Sequence, residues 1–236
     1  MSFGPGDAVL ALGCGAAGVA IAPYLSALVW RVPRNEPVWP PGRGPRLLHA
    51  RFPLMEIATG LLFALTAIRI GPHADLIAFL YVVAVGWVLA IIDTQCKRLP
   101  NALTYPSYPI ALGLLGITAA LGHRGDDYRR ALIGMGIFFA FYAFLWLVYP
   151  AGLGLGDVKL SGVLGLYLGW LGWGAWAVGL FLGFMLGGVL SGLLLAIGRA
   201  NRKTRIPFGP FMLAGAIIAV LFGAAIAHAY VGASLG

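Results

Sequence analysis

The chain has 236 residues, of which 60% are hydrophobic and only 10% charged, and a formal net charge of +8. An ordinary soluble domain carries about 25% charged residues, so this composition excludes a conventional water-facing surface and makes lipid the expected solvent. A membrane-crossing helix takes about 20 apolar residues. The length therefore fits about eight crossings, in a single membrane domain over 1–236, and little else.

In chain order, the apolar runs predict helices over 8–30, 52–70, 74–92, 104–122, 130–149, 158–172, 174–198 and 207–232. The first run is long enough to span and has no basic flank before it, so it is expected to be retained rather than cleaved as a signal. The apolar stretch 158–198 contains a single charge, Lys159, and is too long for one crossing. Gly169-Trp170-Leu171-Gly172-Trp173-Gly174 offers a turn in its middle. Small residues suited to close helix packing recur, as in Gly183-Phe184-Met185-Leu186-Gly187.

The basic residues then orient the spans. Loops 31–51, 93–103, 150–159 and 199–206 hold twelve Lys and Arg, whereas the intervening loops hold four, Arg69, Arg124, Arg129 and Arg130. The positive-inside rule puts the first set in the cytoplasm and both termini outside. Segment 31–51 is Pro- and Arg-rich and too short to fold alone, so it reads as a cytoplasmic loop. The positive charge thus serves topology and contact with anionic lipid. Nucleic acid is not an expected partner, since no basic stripe is interleaved with aromatics. Cys14 and Cys96 form no Cys-x-x-Cys and the four histidines lack ligand spacing, so neither a metal nor another cofactor is expected.

The eight acidic residues discriminate best between functions. Asp7, Glu36, Asp75, Asp126 and Asp127 fall in tails or loops and read as solvated surface charge. Glu56, Asp93 and Asp157 border or enter apolar runs on the cytoplasmic side, where an ionisable group is costly and points to function. Glu56 lies about a turn inside the membrane; an interhelical hydrogen bond or a pairing with a loop arginine is its structural alternative. For Asp157, which follows Gly152-Leu153-Gly154-Leu155-Gly156, the alternative is a helix cap. For Asp93 it is an interfacial charge paired with Lys97 or Arg98. The two together suggest hydrolysis. Like charges at short range cannot both ionise, so one carboxyl keeps a proton to polarise a scissile carbonyl while the other activates water. Gly154 and Gly156 would let an extended substrate backbone approach. Lys97, Arg98 and Lys159 flank the acids, either as topology anchors or as groups that tune the carboxylates and grip lipid phosphate.

Five stretches, in order, resemble one family. Gly154-Leu155-Gly156-Asp157 followed by Val158-Lys159-Leu160 resembles the GxGD motif of the type IV prepilin peptidases, which are membrane aspartyl proteases. Asp93-Thr94-Gln95-Cys96-Lys97-Arg98-Leu99-Pro100-Asn101 is similar to their first aspartate motif. Phe52-Pro53-Leu54-Met55-Glu56-Ile57-Ala58-Thr59-Gly60, Ile206-Pro207-Phe208-Gly209-Pro210-Phe211 and Ser26-Ala27-Leu28-Val29-Trp30-Arg31-Val32-Pro33 resemble further segments of it. The resemblance implies an all-α polytopic protein of a bacterial inner membrane that removes the short basic leader of prepilins or pseudopilins. Cleavage is implied at the cytoplasmic face, after a Gly and before the substrate's apolar helix, with Asp93 and Asp157 as the catalytic pair. One departure is clear. Larger members carry two Cys-x-x-Cys pairs that bind zinc in the first cytoplasmic domain, and many also N-methylate the product. Here 31–51 has no cysteine, and Ala22-Pro23-Tyr24-Leu25-Ser26 replaces the usual Gly-Ser-Phe-Leu-Asn. Zinc is therefore not expected and methylation is not carried over.

Two other classes compete. A proton-coupled small transporter would use the same acids as relays, but it predicts acids near the midplane and a repeat between halves. The acids here are at helix ends and no repeat is visible. A non-catalytic scaffold of a pilus or secretion machine would not need both aspartates.

Overall fold

In lipid, backbone N–H and C=O groups must be satisfied within their own segment, which favours helices. The computed structural model describes residues 4–36, 54–148, 150, 153–198 and 207–234, and among them it contains eight α-helices and no strand. They are α1 (Pro5–Arg31, continued by a 3₁₀ turn, Val32–Arg34), α2 (Leu54–Ile70), α3 (Leu76–Cys96), α4 (Asn101–Leu121), α5 (Gly125–Val148), α6 (Leu155–Leu171), α7 (Trp173–Ala196) and α8 (Gly209–Ser234). Four of the described stretches, Pro5–Arg34, Leu76–Cys96, Gly125–Val148 and Trp173–Leu193, are long and apolar enough to cross a membrane. The protein is an all-α polytopic membrane protein. Most of loop 31–51, part of 150–159 and the basic segment 199–206 lie outside the described residues.

Every predicted helix has its counterpart, and the differences are at the ends. Helix α3 runs past Asp93 to Cys96, and α4 begins at Asn101, so the expected loop 93–103 shrinks to a tight turn. Helix α5 begins at Gly125, which puts Asp126 and Asp127 in its first turn, where acidic groups favour the helix N-terminus. Asp75, expected at the surface, is only 5% exposed; it leads into α3, its carbonyl accepting from the Phe79 N–H. The expected break in 158–198 falls at Gly172, whose φ of +126° suits glycine alone.

The described residues form two compact units, Met1–Ile92 and Asp93–Gly236. In the first, α1 and α2 pack backbone to backbone. A Cβ on Gly18 would lie 2.8 Å from the Thr59 carbonyl oxygen, so only a glycine allows that approach.

The second unit is organised around α6. From Asp157 to Trp170 every residue of that helix is buried except Lys159, the mark of a helix enclosed by protein rather than facing lipid. Helix α5 presses on it through Gly134 and Gly165: a Cβ on Gly165 would come within 2.6 Å of the Gly134 carbonyl oxygen. Helices α7 and α8 pair in the same way, with Gly183 and Gly215 face to face. The far end of α6 is tied by Arg130 of α5. Its guanidinium donates to the carbonyls of Gly169 and Trp170, both at 2.8 Å, and pairs with Asp127. These are carbonyls of the last turn, where the helix runs out of its own N–H donors; that of Gly169 also accepts from the Gly172 N–H at 3.2 Å. The near end of α6 carries Asp157.

Candidate active site

Two turns of the second unit build the site. The first closes α3. Lys97 adopts a left-handed conformation (φ +52°) and its N–H donates to the Asp93 carbonyl at 2.8 Å, an αL helix ending. The chain is thereby reversed within a few residues of Asp93, and Leu99 is directed at the second turn. There a Cβ on Gly156 would lie 2.8 Å from the Leu99 Cβ. The face of Gly156 is thus filled by Leu99 rather than left open for a substrate backbone, and a glycine is needed here for packing.

The second turn opens α6. Asp157 is the third residue of that helix, and its Oδ2 accepts from the Gly154 N–H at 3.0 Å. This satisfies a donor that the helix start leaves free, the reciprocal half of a capping box. The cap reading and the functional reading of Asp157 are compatible, because its other oxygen, Oδ1, faces a different partner.

That partner is the head of α8. The position a Cβ would take on Gly209 lies 2.8 Å from Asp93 Oδ2 and 3.3 Å from Asp157 Oδ1. The two carboxylate oxygens are therefore no further apart than those two distances combined. The Gly209 backbone amide approaches both carboxyl groups. Asp93 and Asp157 are 4% and 6% exposed, and Asp93 Oδ2 has no hydrogen-bond partner among the described residues. A buried, unpaired carboxylate oxygen beside a second carboxylate costs stability, which is the mark of a group kept for function.

A cavity of about 270 Å³ opens at this pair. Lys97, Arg98, Gly154, Gly156 and Lys159 line it with the two aspartates, so seven of the eight candidate residues converge. Lys159 is held to the first turn: its Nζ donates to Asn101 Oδ1 at 3.0 Å and lies 4.8 Å from the Tyr105 ring centre. Its carbonyl accepts from the Tyr108 hydroxyl at 2.6 Å. Glu56, the eighth candidate, sits half-buried in the first turn of α2 in the other unit and is not among the lining residues. Gly209 is the residue that the reading of single positions missed. The signal for it was Pro207-Phe208-Gly209-Pro210 at the head of an apolar run, a helix start whose second residue has no N–H.

Residues 80–233 match the type IV leader peptidase family. A prepilin leader peptidase/N-methyltransferase of Aeromonas hydrophila is 33% identical over 186 residues, covering 78% of this chain and 62% of that protein. Proteins of the same name from Burkholderia pseudomallei (strain K96243) and Bacillus subtilis (strain 168) are 32% and 28% identical, covering 75% and 78% of this chain and 56% and 71% of theirs. The chain thus spans about three fifths of the length of the Aeromonas relative. No solved structure matches. The matched region runs from within α3 to within α8 and takes in both aspartate turns and Gly209, and on that match the chain belongs to the type IV leader peptidase family.

Proposed function

We propose that this protein is a membrane aspartyl endopeptidase that removes the leader from prepilin-like or pseudopilin-like substrates. The observation that carries the reading is the convergence of two buried carboxylates, one with an unpaired oxygen, on a cavity within a membrane protein. In the mechanism, one carboxyl holds a proton and donates it to the oxygen of the scissile carbonyl. The other carboxylate takes a proton from the attacking water, whose oxygen bonds to the carbonyl carbon. Collapse of the tetrahedral intermediate breaks the C–N bond, and the departing amine leaves with a proton from the pair. Asp93 and Asp157 are the pair. Lys97, Arg98 and Lys159 line the mouth, and Gly154 and Gly156 shape the turn that holds Asp157.

The positive-inside pattern supports a cytoplasmic site with both termini outside, and the family resemblance supports a bacterial inner-membrane location. Cleavage after a Gly that precedes the substrate's apolar helix is carried into this proposal from the family resemblance alone. The names of the relatives include N-methyltransferase, but the departures before and within 31–51 restrict this proposal to proteolysis. No metal or cofactor is needed for the chemistry.

The test is co-expression with a prepilin. Asp93→Asn and Asp157→Asn should each insert normally and lower cleavage by about 100- to 10,000-fold, read as the leader-retaining band. Wild-type processing by Asp157→Asn would sink the reading.

A further inference from the structure

Gly209 faces both carboxylates at once. Its missing Cβ leaves the space in which Asp93 Oδ2 and Asp157 Oδ1 sit, at 2.8 and 3.3 Å. Its N–H is also the free donor of that helix end. The next residue, Pro210, has none, and the N–H groups of Phe211 and Met212 already bond the Phe208 carbonyl. A helix start alone would argue little. Here the oxygen it faces belongs to a residue that is 4% exposed, and that oxygen has no hydrogen-bond partner among the described residues.

The position of Gly209 is itself fixed by its neighbour. The Phe208 ring lies in a slot of α5 and α7, with ring centres 5.2 Å from Phe184 and 6.1 Å from Tyr142. Gly187 forms the floor, where a Cβ would come 2.7 Å from Phe208 Cε2. The aromatic anchor and the glycine are consecutive residues, so seating the ring sets where the amide points.

We propose that Gly209 is a positioning residue for the aspartate pair: it lets the two carboxylates approach a common backbone amide, and Phe208 locks that amide in place. The inference rests on the peptidase reading for its kinetic consequence, though not for its geometry. Any side chain at 209 displaces Asp93 Oδ2, and a misplacement of about 1 Å costs about 100-fold in rate. Gly209→Ala and Gly209→Ser should therefore lower kcat by about 100-fold or more, with KM within about threefold of wild type. Phe208→Ala should lower kcat by about tenfold, again at constant KM, and Phe208→Tyr should restore it. A merely structural defect would lower the folded fraction and leave kcat per folded molecule unchanged.

A second readout separates the two ideas. Labelling of Asp93 and Asp157 by an apolar carbodiimide, followed by mass spectrometry of the full chain in detergent, reports carboxyl access without cleavage. Gly209→Ala should change the labelling rate of both aspartates several-fold. If wild type does not cleave prepilin but labelling changes in Gly209→Ala, the peptidase reading falls and the positioning role stands. If wild type cleaves, and Gly209→Ala cleaves with wild-type kcat and labels at wild-type rates, the positioning role is overturned. Should Gly209→Ala fail to fold, Phe208→Ala decides, and wild-type kcat in that variant overturns the proposal.

Discussion

The two turns that carry the aspartates hold them in opposite ways. Asp93 sits in the last turn of α3, where the free backbone groups are carbonyls and the helix end supplies no spare N–H for a carboxylate. Its Oδ2 has no hydrogen-bond partner among the described residues. Asp157 sits in the first turn of α6, where free N–H groups are on hand, and one of its oxygens is taken by the Gly154 N–H. One acid is therefore built into its helix and the other is only confined near the end of its own. A pair of carboxylates at close range is most useful when its members differ, and here helix polarity makes them differ without further side chains. The comparison also separates folding from chemistry: Asp157 contributes to both, and Asp93 contributes mainly to chemistry.

The largest effect expected in this frame comes from forcing the turns apart. Leu99 of the first turn rests on Gly156 of the second, with no room for a side chain between them. Gly156→Val should push Leu99 away, destabilise the protein by about 1–3 kcal/mol through overpacking, and lower cleavage by about 100-fold as the aspartates separate. Thermal unfolding in detergent and prepilin cleavage check both parts. Restoration of cleavage in Gly156→Val by Leu99→Ala would confirm that the contact is the cause. Wild-type activity in Gly156→Val alone would break the comparison, because the turns would then not be coupled.

A smaller effect tests the asymmetry directly. Asp157→Ala removes the cap of α6 and should cost about 1 kcal/mol of stability. Both variants lose the approach of the Gly209 amide, but Asp93→Ala also removes an oxygen with no hydrogen-bond partner among the described residues and should cost less, since relief of an unsatisfied buried group offsets the lost packing. Both variants should be inactive. Unfolding temperatures that fall equally in the two would show that helix polarity does not set the aspartates apart.

The sequence made the helices legible because apolar runs and lipid leave one solution for the backbone. The split at Gly172 was legible for the same reason: the run was too long for one crossing and glycine supplied the turn. Asp93 and Asp157 stood out because charge is rare next to such runs. What the sequence could not express was contact between distant turns. Gly156 read as an opening for substrate, yet Leu99, far away in sequence, fills that face. Gly209 lies in a stretch already noted for its resemblance to the family, but nothing local says that two carboxylates converge on it. Helix ends were the other weak point. Asp93 looked like a terminator by its charge, but a helix end is set by the residue that can take a left-handed turn, and that residue is Lys97. Asp75 looked solvated by the same logic of charge and is instead buried.

The smallest effect concerns the polar link that joins the turns at the surface. Lys159, one turn into α6, donates to Asn101 at the start of α4 and lies against the Tyr105 ring. The Asn101 hydrogen bond is exposed, so water competes for both of its partners. An exposed polar contact of this kind contributes little, and cation–aromatic contact at exposed sites adds about 0.5–1 kcal/mol. Lys159→Met keeps the stem over Tyr105 and removes the charge. Its stability should fall by less than about 1 kcal/mol, and cleavage should stay within about threefold of wild type at moderate salt. The contrast with Gly156→Val is what matters, because both changes act on the joint between the same two turns. If the polar link held the aspartates together, Lys159→Met would lose activity as severely as Gly156→Val. If apolar packing of Leu99 on Gly156 holds them, only the valine variant does.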